Sequence, residues 1–445
     1  MERVAHNSLK NHFDHIRQEL VGSNFRHKRY GKVASIVGTI IECTGMDASV
    51  GEVYGIHTTI GKIVQAEVVG IREEKTLLMP FDRVEGMRAG CLVESMGQSM
   101  TVPVGHKMLG RVVDENGFPI DHHGKIFRSE YQPIQNDPPS PLMRERIDSV
   151  MQTGIRALDA LNTVGQGQRI GLFAGSGVGK SVLMGMIAKH SSADVNVIAL
   201  IGERGREVQE FVQETLDDEG RKKSVVVAVT SDMAAMSRVK GSYTATAIAE
   251  YFRDQGKNVL LMMDSVTRVA MAQREIGLAS GEPPTTKGYT PSVFAILPKL
   301  LERPGKTGAG SITGLYTVLV DNDDMNEPIA DAVRSILDGH IVLSRRLAHK
   351  NHYPAIDILE SISRVMPNIV TEDQRKLAMQ AREILATYRE AEELINIGAY
   401  VKGSNPKIDD AIKKYPKLES FLIQDLNEAD FSEDLWGTLR KIVEN

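Results

Sequence analysis

Residues 170–187, with the sequence IGLFAGSGVGKSVLMGMI, decide the fold of this chain. The apolar run 170–173 predicts a short buried strand, the glycine-rich segment 174–181 a tight turn, and the apolar run from Val182 a helix. Strand, glycine-rich turn and helix are the setting of a P-loop. In such a loop, backbone N–H groups and the positive end of the helix dipole point at a phosphate group.

The side chains of this loop predict a nucleotide site with a magnesium ion. Lys180 can reach the β- and γ-phosphates, and the Ser181 hydroxyl can ligate Mg²⁺. Ala174 replaces the first glycine of the strict motif, which is tolerable if its φ is negative, because this position only enters the turn. By themselves, the eight residues also fit a glycine-rich turn without a ligand. The residues predicted to bind ATP are Gly175, Ser176, Gly177, Val178, Gly179, Lys180, Ser181 and Val182.

Composition limits the class of protein. The 445 residues suffice for about three domains, and 42% hydrophobic and 25% charged residues are typical of a soluble globular protein. A net charge of −5 gives no electrostatic case for nucleic acid as a partner. Cys43 and Cys91 do not make a disulfide framework and fit a reducing compartment. The sequence has no span of ~20 apolar residues and no signal peptide, so we expect a cytoplasmic protein with at most peripheral membrane contact.

Changes of pattern predict four parts. Residues 1–27 are expected to form an amphipathic helix, covered by a partner protein, a membrane surface or the chain itself. Period-two alternation over 28–102 predicts a β-barrel with a structural role. Over 103–370, strands alternating with helices predict an α/β domain with a largely parallel sheet. A capping-box motif at Thr371 opens a helical domain over 371–445. The apolar strand runs of the α/β domain include 195–201, 224–230, 259–263 and 313–320.

Two carboxylates are expected beside the P-loop, because ligands bind at the carboxyl ends of parallel strands. Asp264 ends an apolar strand and can hold Mg²⁺, usually through water. Glu203 follows another strand and is the candidate general base that polarises the attacking water. Arg204 is a candidate sensor of the γ-phosphate. The alternative is a solvated charged loop in which Glu203 pairs with an arginine.

Several longer segments resemble the ATPases of type III protein secretion, and most of all flagellar export ATPases, over roughly residues 30–445. They are GERGREVQEF (202–211), FRDQGKNVLLMMDSVTRVAMAQREIGLASGEPP (252–284), GYTPSVFAILPKLLER (288–303) and ILDGHIVLSRRLA (336–348). This family is similar to the catalytic β subunit of rotary ATP synthases, in which the first segment has the form GERTREG. Gly205 and Val208 depart from that form and favour the secretion branch. The resemblance implies an α/β, RecA-like P-loop core between an N-terminal β-barrel and a C-terminal α-helical domain.

The resemblance also implies roles for single residues. It makes Glu203 the residue that activates water and Asp264 the aspartate associated with Mg²⁺. Tyr353 matches an aromatic residue that stacks on adenine, and Tyr400 is a second candidate for the adenine pocket; core packing is the alternative for both. Arg364 matches an arginine finger that reaches the nucleotide of a neighbouring subunit, with a salt bridge inside its own subunit as the alternative.

The function implied by the resemblance is Mg²⁺-dependent ATP hydrolysis by a homohexameric ring at the cytoplasmic base of a type III export apparatus. The ring would be peripheral at the inner face of the bacterial cytoplasmic membrane and would release export cargo from chaperones and unfold it for the export gate. Further implied partners are a coiled-coil stalk protein in the pore, a regulator at the N-terminal helix and chaperone–cargo complexes at the helical domain. The segments VAMAQREIGLASGEPP (269–284) and AYVKGSNP (399–406) favour a flagellar system over an injectisome.

Three other functions compete with this hypothesis. A rotary ATP synthase subunit is disfavoured by GERGREV and GYTPSVF. A non-enzymatic nucleotide-binding scaffold is disfavoured by the intact set of Lys180, Ser181, Glu203 and Asp264. A hexameric RNA helicase with a similar core is disfavoured by the acidic balance of the chain.

Overall fold

The computed structural model describes residues 30–97, 100–127, 130–320, 324–428 and 434–445. The chain divides into two compact units, Met1–Ser99 and Met100–Asn445. The amphipathic helix predicted for residues 1–27 lies outside the described residues. Among the described helices, none is both long and apolar enough to cross a membrane.

The described strands of the first unit form a closed antiparallel barrel in the order β1-β2-β5-β4-β3-β6. Alternate side chains such as Ile41, Tyr54 and Leu78 fill its interior. Closure pairs every strand on both sides and leaves no open sheet edge. The predicted β-barrel is confirmed. The strands are β1 (Tyr30–Val37), β2 (Ile40–Thr44), β3 (Val53–His57), β4 (Ile63–Arg72), β5 (Lys75–Pro80) and β6 (Leu92–Ser95).

A nine-stranded sheet forms the centre of the described part of the second unit, in the order β17-β16-β10-β15-β13-β11-β12-β8, with β14 paired to β15. The strands from β16 to β8 are parallel, and β17 is antiparallel at the edge. A separate ribbon pairs β7 with β9. The strands are β7 (Thr101–Val104), β8 (Val112–Val113), β9 (Glu130–Pro133), β10 (Arg169–Ala174), β11 (Val195–Ile201), β12 (Ser224–Val229), β13 (Asn258–Asp264), β14 (Gly305–Lys306), β15 (Ser311–Leu319), β16 (Gly339–Leu343) and β17 (Ile356–Ser363).

Helices cover both faces of this sheet, and alternate residues of a strand enter opposite cores. In β11, Ile198 and Leu200 belong to one core and Val197 and Ala199 to the other. The predicted α/β fold is therefore confirmed. The described helices are α1 (Arg156–Leu161), α2 (Lys180–His190), α3 (Gly205–Glu210), α4 (Asp217–Lys222), α5 (Ala235–Asp254), α6 (Val266–Ser280), α7 (Pro291–Leu301), α8 (Pro328–Ile336), α9 (Arg345–His349), α10 (Met366–Ile369), α11 (Glu372–Asn396), α12 (Pro406–Leu422) and α13 (Leu435–Glu444).

The C-terminal residues fold into helices α11 to α13, as predicted. Helix α11 begins with a capping box, in which the Gln374 N–H donates to Thr371 Oγ1 at 3.3 Å and the Thr371 N–H donates to Gln374 Oε1 at 2.9 Å. Arg382 on the same helix donates from Nη2 to the Ser361 carbonyl at 3.0 Å and from Nη1 to the Leu161 carbonyl at 3.4 Å. These bonds fasten the helical part to the α/β core.

A buried ion pair joins three parts of the second unit. Arg303, directly after α7, is 0% exposed, and its Nε and Nη2 donate to the two carboxylate oxygens of Glu250 on α5 at 2.8 and 2.6 Å. Its Nη1 donates to the Ile134 carbonyl at 2.7 Å, and Asn136 Nδ2 donates to Glu250 at 2.8 Å. Every charge in this group has partners, which is the condition under which a buried ion pair is tolerated.

Removal of the carboxylate alone should be strongly destabilising. We expect Glu250→Ala to lower the free energy of unfolding by about 3–5 kcal/mol, because it leaves the Arg303 charge buried and uncompensated. The matched control is Glu275→Ala, which breaks a pair with Arg238 at 2.7 Å but removes a side chain that is 52% exposed; about 1 kcal/mol or less is expected there. Urea unfolding of both variants measures the difference, and equal shifts would contradict the assignment.

Candidate active site

The carboxyl ends of the parallel strands bring the predicted site residues together. In the sheet, Leu200 of β11 is paired with Asp264 of β13, and Ala174 of β10 is paired with Leu319 of β15. Glu203 therefore leaves its strand next to the strand that ends in Asp264. The strand that leads into the P-loop ends at the same edge of the sheet.

The P-loop has the backbone that its glycines predict. Gly177 and Gly179 have φ values of 76° and 88°, in the left-handed region that side chains disfavour. Ala174 is the last residue of β10 and is in an extended conformation, so its methyl group is tolerated. Val178 is buried, whereas Ser176, Gly177, Ser181 and Val182 are exposed. The loop and the start of α2 fit a phosphate group bound by backbone N–H groups.

Lys180 and Asp264 form an ion pair at the base of this loop. Lys180 Nζ donates to Asp264 Oδ1, and Thr317 Oγ1 on β15 donates to the same oxygen at 2.7 Å. The Asp264 carboxylate and the Ser181 hydroxyl are oxygen ligands of the kind that Mg²⁺ prefers. In the described ranges, no group of three or more His, Cys, Asp or Glu side chains forms a metal cage. Mg²⁺ bound mainly through phosphates and water needs no such cage.

Glu203 is half-buried, and its environment suits a general base. Burial, and after it the Asp264 charge, raises the pKa of its carboxyl to about 7, and the Lys180 charge opposes the rise. A carboxylate with a pKa near 7 can accept a proton from water at neutral pH more effectively than an ordinary glutamate. Among the described residues no arginine pairs with this carboxyl, and Asp264, Lys180 and Glu207 are the charges that shift its pKa. Its role as the general base stays a prediction.

Arg204 pairs with a neighbouring glutamate and is otherwise exposed to solvent. Its side chain is 81% exposed, and Nη1 is 3.3 Å from Glu207 Oε1 one turn further along the chain. No hydrogen bond or ion pair joins it to Lys180 or Asp264 within the described part of the chain. The predicted contact with a γ-phosphate stays a prediction.

Arg364 lies at the amino ends of the parallel strands, opposite to the ends where the P-loop begins. Its backbone N–H donates to the Asp338 carbonyl at 3.0 Å, and the Asp338 N–H donates to the carbonyl of Arg169, the first residue of β10. The P-loop begins after the last residue of that strand, about 17 Å away at about 3.3 Å per residue. The Arg364 side chain is exposed, and it has no ion-pair partner among the described residues. Its guanidinium is too far from its own P-loop to serve there.

The two tyrosines have different surroundings. Tyr353 is 40% exposed, and a Cβ atom built on Gly179 would lie 3.4 Å from its Cε1, so the ring flanks the P-loop and is not part of the core. The Tyr400 hydroxyl lies 3.0 Å from the Asn405 carbonyl oxygen and 3.1 Å from Asp409 Oδ1, and it donates its single hydrogen to one of them. These bonds hold Tyr400 within the connection between α11 and α12. Its place in an adenine pocket stays a prediction.

Two residues at the site were missed by sequence analysis. Thr317 contacts Asp264, and Arg268 on α6 packs against Gly202, where a Cβ atom would lie 2.9 Å from Arg268 Cβ. A polar residue inside the apolar run 313–320 was a signal for Thr317. It became informative only once β15 was known to lie beside β13.

Known families match the chain along most of its length. The ATP synthase alpha/beta family matches with its nucleotide-binding domain over residues 154–363 and with its beta-barrel domain over residues 33–97. The T3SS EscN ATPase C-terminal domain matches residues 370–441.

Relatives from two kinds of export system are similar to the chain. The flagellum-specific ATP synthase of Bacillus subtilis (strain 168) is 56% identical over 94% of this chain and 96% of its own length. The type 3 secretion system ATPase of Xanthomonas euvesicatoria is 49% identical over 94% and 95%. The solved structure of the assembled ATPase EscN from enteropathogenic E. coli has a TM-score of 0.87 and 48% identity, covering 93% of this chain and 100% of that one.

The α/β core has a P-loop, an aspartate at the end of another parallel strand (Asp264) and a candidate base (Glu203). Together these features define a P-loop ATPase. The extent of the matches places it further: the chain belongs to the ATP synthase alpha/beta family, among the flagellum-specific and type III secretion ATPases.

The pKa of Glu203 predicts a pH dependence. We expect kcat/KM for ATP hydrolysis to fall about tenfold per pH unit below about 7, because only the deprotonated carboxyl accepts a proton. Glu207 raises the pKa of Glu203, so Glu207→Gln should move this acidic limb to lower pH. The control is Glu210→Gln, which breaks only the pair with Arg206. If the pH dependence of kcat/KM is the same in Glu207→Gln as in the wild type, Glu203 is not the base.

The position of Tyr353 predicts a contribution to nucleotide affinity. Stacking of a base on an aromatic ring is worth about 1–3 kcal/mol, so Tyr353→Ala should weaken ADP binding by about 5- to 150-fold. Tyr353→Phe keeps the ring and should bind as the wild type does. Calorimetric titration with ADP measures both, and equal losses in the two variants would show that the hydroxyl, not stacking, matters.

Proposed function

We propose that the chain is a Mg²⁺-dependent ATPase that works as a homohexameric ring and energises protein export through a flagellar-type apparatus. The observation that supports a ring is the separation of two residues: Glu203 lies at the carboxyl ends of the parallel strands, and Arg364 lies at their amino ends. Within one chain, Arg364, the proposed arginine finger, therefore lies too far from the P-loop to contact a nucleotide bound there. A neighbouring copy can supply the missing half to each site, so assembly completes the active site.

The chemistry follows from the groups at the strand ends. The P-loop N–H groups bind the phosphates, and Lys180 turns from Asp264 towards the β- and γ-phosphates. Ser181 and Asp264 would hold Mg²⁺, which neutralises charge on the phosphate oxygens. Glu203 accepts the proton of the attacking water. Arg364 of a neighbouring copy stabilises the charge on the transferred phosphoryl group, an effect on the order of 10³–10⁵ in rate for arginine fingers.

Partners and location follow from the same proposal. A solved EscN structure contains its central stalk, EscO, and has a TM-score of 0.86 to this chain. We extend this to a coiled-coil stalk protein in the pore of the ring. Chaperone–cargo complexes at the helical C-terminal part, a regulator at the N-terminal segment and the export gate complete the proposed set. The proposed location is the cytoplasm, at the inner face of the cytoplasmic membrane.

An injectisome ATPase is the second candidate function, because a type 3 secretion system relative is 49% identical to the chain. The flagellar assignment rests on the segments 269–284 and 399–406 and on the 56% identity to a flagellum-specific relative. The neighbouring genes distinguish the two functions, because each apparatus is encoded with its own structural components.

Mixed rings test the shared site. Arg364→Ala and Glu203→Ala should each reduce ATP hydrolysis about 10³-fold or more, because each removes one half of every site. An equal mixture should regain about a quarter of the wild-type activity, because a random ring places intact halves together at that fraction of its interfaces. A steady-state ATPase assay measures the recovery.

The matched control mixes Lys180→Ala with Glu203→Ala. Both defects lie in the P-loop half of the site, so no arrangement of these copies makes an intact interface, and no activity should return. If the Arg364→Ala and Glu203→Ala mixture also stays inactive while forming rings, the shared-site proposal is wrong.

A further inference from the structure

Thr317 occupies a special place in the sheet. Strand β15 lies between β10, which leads into the P-loop, and β13, which ends in Asp264. Thr317 is paired with Leu172 of β10, and its neighbour Tyr316 is paired with Met263 of β13. The threonine is 0% exposed and lies between the buried residues Tyr316 and Val318. A hydroxyl at this position is shielded from water and must find a partner within the protein.

That partner is the carboxylate of Asp264. Thr317 Oγ1 donates its hydrogen to Asp264 Oδ1 at 2.7 Å. The Met263 carbonyl is the next acceptor, at 3.4 Å, which is too long to compete. A threonine hydroxyl has one hydrogen to donate, so this one is committed to Asp264.

Two donors share one oxygen of this carboxylate. Lys180 Nζ and Thr317 Oγ1 both donate to Asp264 Oδ1, and Oδ2 accepts no hydrogen bond from any described residue. This arrangement fixes the rotation of the carboxylate and leaves Oδ2 as its available ligand atom. In the proposed mechanism Lys180 turns from Asp264 towards the phosphates, whereas Thr317 is on a central strand and keeps its place. After that change, Thr317 alone holds the carboxylate.

We infer that Thr317 is a positioning residue that keeps the Asp264 carboxylate oriented for Mg²⁺ while Lys180 binds the nucleotide. The inference rests on the proposed function, because it assumes that Asp264 serves the metal. It assigns Thr317 no contact with ATP or with the reacting atoms. Thr317 should therefore govern how strongly Mg²⁺ promotes nucleotide binding, and not how strongly the nucleotide binds without metal.

Calorimetry with ADP, with and without Mg²⁺, tests the inference. In the full chain, Thr317→Val should reduce the gain in ADP affinity from Mg²⁺ by about 10- to 100-fold, the usual effect of losing a partner of a metal ligand. The affinity for metal-free ADP should stay unchanged. The Mg²⁺ concentration for half-maximal ATP hydrolysis should rise by a similar factor. Thr317→Ser keeps the hydroxyl and should restore both values.

Thr313→Val is the matched control. Thr313 is on the same strand and 2% exposed, and its Oγ1 accepts a hydrogen bond from the Gly167 N–H at 2.9 Å, away from Asp264. This variant also loses a buried hydroxyl, so it should lower the melting temperature without changing the Mg²⁺ dependence. If the extra methyl group of Thr317→Val prevents folding, Thr317→Ala removes the hydroxyl without adding volume.

The outcomes separate the inference from the proposed function. A wild-type protein whose nucleotide affinity and turnover do not depend on Mg²⁺ would overturn both. A Mg²⁺-dependent wild type with an unchanged dependence in folded Thr317→Val or Thr317→Ala would overturn only the role of Thr317. An equal loss in Thr313→Val would also overturn it, because the effect would then be one of general packing.

Discussion

The hydrogen-bonded register of four parallel strands is the constraint on which the site depends. β10, β15, β13 and β11 end at one edge of the sheet, and their register places Lys180, Thr317, Asp264 and Glu203 together although they are far apart in the sequence. A shift of any of these strands by one residue would turn its side chains to the other face. The buried, interlocking cores on both faces make such a shift costly.

The charges at this edge balance one another. Asp264 is buried and its charge is compensated by Lys180, and these two groups act in opposite directions on Glu203. Burial and the Asp264 charge raise the pKa of Glu203, so the carboxyl titrates near neutral pH while Asp264 is held by two hydrogen-bond donors. One site thus contains two carboxylates in different environments, because only Asp264 accepts hydrogen bonds from a cation and a hydroxyl.

The antiparallel edge strand β17 separates Arg364 from the P-loop of its own chain. The chain enters this strand just after Tyr353, which flanks its own P-loop, and leaves it at Arg364, at the amino ends of the parallel strands. If β17 ran parallel to its neighbours, Arg364 would lie at the carboxyl ends of the strands, beside the P-loop of its own chain. The reversed direction sends it to the other side, where the proposed ring places the next subunit.

The sequence alone determined the features that depend on short-range chemistry. The glycines of the P-loop, the capping box at Thr371 and the strand runs were predicted to within two residues, because backbone conformation, capping and burial pattern act over a few neighbours. The tertiary structure decided the strand order and direction. β15 follows β13 in the chain yet lies between it and β10, which is why Thr317 was missed. No local pattern encodes such order, since it depends on how whole strands and helices pack.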